Sequence, residues 1–342
     1  MTLIELLTVL FLGSLIISMT FVVYTNSSRS LLRQDVVMSQ LLNLRAGLAS
    51  ISRDIRGVGN GFSLLGLGQN QMVQIYTKDE NGEPNGWFRY PAAGGVLPPF
   101  GLAPIYAVDG GEDGTDSIYV ASLSPDFIAP LGQLAASVTH ADRRLSLTNI
   151  LEVPGGVDLR EIVKKDDYLA VVPSSGDPFL VEVASDPASL TVIPIKSFPS
   201  GGFPNGVSEL PSGSVVYNVK SVVFHGYSIN RQASTNETFL TMNTLESQDD
   251  ILSEGIEDLQ VAYCFGGDNP ASLTNYDWAF SGLNNQPEPI KSIHLFMVSR
   301  STLADPNGAE YAHIAHLNHS KVDPPDGYPR RFLETTVQLR NY

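Results

Sequence analysis

The residue in this chain most plainly placed for chemistry is Glu5, a carboxylate at the start of an uncharged apolar run over residues 6–24. An ionisable group at bilayer depth costs about 2.5–3.5 kcal/mol on insertion scales and is kept where it pairs or functions. The α-amino group of Met1 is close in sequence, but helical residues so near the terminus point in different directions. The amine of a neighbouring copy or homologue is the better partner. A pair between the start of one helix and the fifth residue of the next would set subunits one after another, in head-to-tail contacts that need not close. Glu5 and Met1 are therefore the candidate assembly residues.

Two further clusters have the chemistry of metal ligands. Asp109, Glu112, Asp113 and Asp116 lie in one Gly-rich stretch and would offer hard oxygens to calcium. Their spacing is not that of an EF-hand, and a solvated acidic turn leading into a strand is the stronger reading. His313, His316 and His319 recur at i, i+3 and i+6, which on a helix leaves the third imidazole well off the face of the first two. Asn307-Gly308, Pro324-Pro325 and Asp326-Gly327 around them mark loop, so a polar surface loop is favoured over a zinc site. No G-x-S-x-G, H-E-x-x-H, Walker or G-x-G-x-x-G pattern occurs. The expectation is a non-enzyme with no cofactor beyond that calcium.

These residues need elements to hold them. The apolar run of residues 6–24 is close to the length of about 20 that a spanning helix requires. A secretory signal would open with Lys or Arg and run shorter, whereas the first basic residue here is Arg29. An uncleaved signal anchor has the right length but no use for Glu5. Beyond the run, Val37, Leu41, Leu44, Leu48, Ile51 and Ile55 draw one apolar stripe at helical spacing, with Arg33, Gln40, Asn43, Arg45, Arg53 and Arg56 between them. Gly57, Gly59 and Gly61 then end the helix. From residue 1 to 56 it would be about 84 Å long, so its outer half must leave any membrane. Packing of the stripe onto the chain's own sheet is favoured over a coiled coil, because strand patterns follow at once.

The remainder reads as strands and turns, with short apolar or alternating runs at 72–77, 117–123, 168–172, 179–183, 190–195, 214–228, 237–242, 256–264, 291–300 and 332–340. The turn residues at 173–178 predict an antiparallel hairpin over 168–183. The expected fold class is α+β: a long N-terminal helix packed on an antiparallel sheet, with an inserted β-rich subdomain at about 100–210. The expected divisions are 1–28 as the transmembrane and assembly helix, 29–61 as its amphipathic continuation, and 62–342 as a β-rich head. The 342 residues carry a net charge of −15, which argues against nucleic acid and against anionic lipid beyond the helix itself. The lone Cys264 cannot form an intrachain disulfide and reads as a small buried hydrophobe.

The stretch T-L-I-E-L-L-T-V-L-F-L-G at residues 2–13 resembles the mature N-terminus of type IV pilins and type II secretion pseudopilins. Three further stretches narrow the likeness: L-A-S-I-S-R-D-I-R-G-V-G at 48–59, G-I-E-D-L-Q-V-A-Y at 255–263, and R-R-F-L-E-T-T-V-Q-L-R-N at 330–341 resemble the helix end, a strand and the C-terminal ending of PilW-like minor pilins. The resemblance implies a pilin fold and cleavage of a leader by a prepilin peptidase. It also implies N-methylation of residue 1, here Met1 where Phe is usual. That processing holds if Met1 is the cut site, and an initiator Met1 would remove it. It further implies residence in the bacterial inner membrane with a periplasmic head, then assembly with other major and minor pilins into an extracellular pilus. A tip adhesin is an implied partner, through a priming complex. Alternatives are a minor pseudopilin of a type II secretion system and an adhesive tip module, to which Trp87-Phe88-Arg89-Tyr90 or Tyr276-Asp277-Trp278 would give a contact patch. A major pilin is a further rival, although Val22 stands where many of them carry Pro.

Overall fold

A computed structural model of the chain describes residues 3–59, 61–62, 72–79, 83–90, 101–110, 114–123, 128–150, 162–189, 191–199, 202–232, 237–245, 249–265, 290–301, 303–305, 308–314 and 325–339. One helix, α1, runs without a break from Leu3 to Gly57. It ends where Gly59 and Gly61 take φ of 75° and 83°, a left-handed conformation that side chains with a Cβ resist. Leu44, Leu48, Ile51 and Ile55 of the apolar stripe are buried, and Val37 and Leu41 are half-buried. The stripe lies on the chain's own sheets, as its spacing predicts.

Two antiparallel sheets receive it. The first has the order β13-β12-β11-β4-β3, with β3 at Ile105–Val108, β4 at Ser117–Leu123, β11 at Val222–Gln232, β12 at Glu237–Asn243 and β13 at Asp250–Glu254. The second has the order β14-β15-β16, at Ile256–Phe265, Ile290–Arg300 and Arg330–Gln338. The helix contacts β13, β15, β16 and β4. Between helix and sheets lies a core of the stripe together with Leu240, Leu259, Val261, Tyr263, Leu295, Met297 and Val337. Cys264 is buried in β14, a small apolar residue as expected.

A third sheet, six-stranded, has the order β8-β7-β10-β5-β6-β9. Its strands are β5 at Ile128–Leu134, β6 at Arg144–Thr148, β7 at Tyr168–Val172, β8 at Phe179–Glu182, β9 at Val192–Pro194 and β10 at Val215–Val219. The hairpin over 168–183 is present, with Val171 opposite Phe179. The short ribbon of β1, Tyr76–Lys78, and β2, Pro84–Trp87, completes the strands. Alternation along single strands ties the layers together. In β4, Ile118 and Val120 face the helix-side core, while Tyr119, Ala121 and Leu123 enter a second core shared with Tyr168, Ala170 and Leu180 of the six-stranded sheet. In β7, Leu169 and Val171 face that sheet's own core.

Two expectations change. The run at 214–228 is not one strand. It divides at Lys220, whose ammonium reaches the Ile162 carbonyl at 2.9 Å and Asp167 at 3.4 Å, and its halves β10 and β11 join different sheets. The six-stranded sheet takes its strands from residues 128–219, whereas β3 and β4, inside the span expected for the insertion, pair with the helix-side strands.

Candidate assembly interface

The first half of α1 stands clear of the fold. Its large apolar side chains from Leu3 to Tyr24 are 39–75% exposed, where Leu44, Ile51 and Ile55 further along the same helix are 0% exposed. This segment is long and apolar enough to cross a membrane. Four of its hydroxyls interrupt the apolar surface little, because they turn back on the helix. Thr8 donates to the Ile4 carbonyl at 2.5 Å, Ser14 to Phe11 at 2.8 Å, Thr20 to Ile16 at 2.9 Å and Thr25 to Phe21 at 3.0 Å. Such a surface suits hydrocarbon or another apolar helix, since those four donors are satisfied within the helix. Glu5 lies in the opening turns of α1, and Met1 lies outside the described residues.

The second half is fastened to the head by polar groups as well as by its stripe. Arg33 meets Asp305 at 3.2 Å, and Tyr311 donates its hydroxyl to the same carboxylate at 2.5 Å. The Gln40 amide donates to the Pro329 carbonyl at 3.1 Å, and that of Asn43 to the Glu254 carbonyl at 2.9 Å. Near the end of α1, Asp54 accepts hydrogen bonds from His225 Nδ1 and, at 2.5 Å, from the Tyr227 hydroxyl. Burial works against the Asp54 charge, and the two hydrogen bonds outweigh it, holding the carboxyl below its usual range. The helix is thus a rigid arm, held along its outer half and bare along its inner half.

Within the head, Arg330 centres a separate ion cluster and was not singled out as a site by the sequence. Its side chain is 2% exposed and forks onto two carboxylates, with Nε 2.7 Å from Glu257 Oε2 and Nη1 2.7 Å from Asp326 Oδ1. His313 Nε2 lies 2.8 Å from Arg330 Nη2. The hydrogen bond from Arg330 pulls the Asp326 pKa down to about 2. His313 therefore belongs to a partly buried cluster joining β14, β16 and the segment before it, and His316 and His319 lie outside the described residues.

Of the four acidic residues expected as calcium ligands, Glu112 and Asp113 lie outside the described residues. Asp116 is fully buried and accepts backbone hydrogen bonds from Gly110 at 3.0 Å and Val261 at 2.8 Å. Burial pushes its pKa up to about 7 in spite of those two bonds. Its carboxyl pins the turn at 110 to β14, a role distinct from presenting an oxygen to solvent. Asp109 is half-buried, and among the described residues no group of three or more His, Cys, Asp or Glu could hold a metal.

Comparison with known proteins bears on the C-terminal third. Residues 226–341 match the family model described as Type IV Pilus-assembly protein W, a span that takes in both strand motifs at 255–263 and 330–341. Among solved structures, a type IV-like pilin from Thermus thermophilus is similar at 15% identity, over 52% of this chain and 85% of that one, with a TM-score of 0.23. No curated protein matches the chain.

Proposed function

We propose that this chain, PilW-like over residues 226–341, is a minor pilin of a type IV pilus that enters the fibre through α1 and helps to prime assembly or occupies the tip complex. The single observation that carries the reading is the division of α1: a bare apolar half continuous with a half bolted to a folded head. A helix of that kind has two compatible environments, a bilayer before assembly and a bundle of similar helices afterwards. Glu5 supplies the register between neighbours by pairing with the N-terminal amine of the next subunit. The prepilin peptidase and methylation of Met1 belong to the same reading, as do a periplasmic head and a final extracellular position.

The test is Glu5→Ala. The variant is expected to insert in the membrane and fold as the parent does, yet to be lost from sheared pili, as quantified by mass spectrometry of the fibre fraction. Incorporation at the parental level would remove the mechanism.

A further inference from the structure

Just past its apolar half, α1 forms one wall of a groove of about 580 Å³, closed on the other side by Ser301, Leu303, Asp305, Tyr311 and the start of β16. Its apolar lining comes from Leu32, Val36, Val37, Leu303 and Ala304. Arg29, Arg33, Arg330 and Arg331 line it, in a chain whose net charge is −15. Arg330 is committed to Glu257 and Asp326, and Arg33 to Asp305. Arg29 and Arg331 are exposed, and among the described residues neither is in an ion pair.

Position along the helix says what such a lining would meet. The apolar run of residues 6–24 spans about 28 Å at 1.5 Å per residue, close to the roughly 30 Å of a bilayer's hydrocarbon core. Arg29 and Arg33 follow within the next turns, at the depth of the lipid headgroups. We infer that the groove binds one anionic glycerophospholipid of the phosphatidylglycerol class, an inference that rests on the membrane-anchor reading of α1. The phosphate sits between Arg29 and Arg331, whose planar forks match its oxygens, and the glycerol and upper acyl carbons lie on Leu32, Val36 and Leu303. The acidic balance of the whole chain conceals this local reversal of sign. Bound there, the lipid fixes the depth and rotation of α1 while the head waits at the membrane.

The experiment places the full chain in nanodiscs of equal phosphatidylglycerol and phosphatidylcholine and reads the lipid retained on ejection by native mass spectrometry. Phosphatidylglycerol is expected to be retained in preference. Arg29→Gln and Arg331→Gln should each weaken retention about fivefold and together about 25-fold, the worth of one and two arginines at an anionic surface. Arg45→Gln, which alters an exposed arginine of α1 outside the groove, should leave retention unchanged. Equal retention of the two lipids, or no loss in the groove variants, would overturn the inference. So would displacement of the lipid by millimolar inorganic phosphate, or groove variants that lose only capture of another pilus subunit. A chain that fails to enter phosphatidylcholine discs would instead overturn the anchor reading itself.

Discussion

Asp54 is half-buried and Asp116 fully buried, and their surroundings give the two carboxyls opposite dependence on pH. Asp54 is held below its usual range by His225 and Tyr227, so the stability it contributes is present above the unfolded value near 4 and is lost as pH falls through the lower folded value. Asp116, raised by burial to about 7, stays protonated in the fold where the unfolded chain would ionise. Between about pH 4 and 7 its contribution therefore increases as pH falls. Thermal unfolding of the full chain in detergent across this range should give a flatter profile for Asp116→Asn than for the parent. Asp54→Asn should differ in slope only below about pH 4, and parallel profiles would contradict both assignments. For Arg330→Ala a loss of about 1–3 kcal/mol is expected in chemical unfolding, because Glu257 and Asp326, both only partly buried, lose the charged donor that satisfies them. Arg330→Lys should restore only part of it, since an ammonium cannot fork onto two carboxylates. The sequence made Asp116 visible only as an exposed oxygen donor and Arg330 only as part of a motif. Burial is what changes their roles, and burial at these positions depends on contacts between segments more than 70 residues apart.

At the scale of elements, α1 was the most legible part because its two halves differ in pattern: apolar all round to residue 24, then a stripe with helical period. Gly47 was not legible. It lies inside the stripe, where glycine costs a helix about 1 kcal/mol relative to Ala, and nothing local explains it. The packing does: a Cβ at Gly47 would stand 2.8 Å from Leu240 Cδ2 and 3.3 Å from Met297 Sδ, so β12 and β15 approach the helix closely at this point. Gly47→Leu should lower stability by about 1–3 kcal/mol through overpacking, while Ala49→Leu, on the exposed side of the same turn, should change it by under about 0.5 kcal/mol. Equal effects at the two positions would refute the close approach. β5 escaped the strand pattern for a different reason. Pro130 and Gly132 both argue against a strand, and the ladder accommodates them with a register shift opposite Val216 and Tyr217.

The whole molecule is a folded head that carries a bare apolar helix, and its three cores make that head rigid enough to be positioned by the helix alone. The helix-side sheets contain the strands expected at 237–242, 256–264, 291–300 and 332–340, and the match to pilus-assembly protein W covers the same part of the chain. The six-stranded sheet was only half legible. Its β7–β8 hairpin announces itself by a turn, but β5 and β6 were not among the expected strands, and β10 joins β5 and β7 from far along the chain. The central claim is that the bare half of α1 exists to lie among the helices of other subunits. A photo-crosslinking amino acid at Leu10, which is 62% exposed, tests this in cells that build pili. The expected result is a covalent adduct with the N-terminal helix of a pilus subunit, identified by mass spectrometry; adducts with lipid alone, in assembled fibres as in membranes, would contradict it.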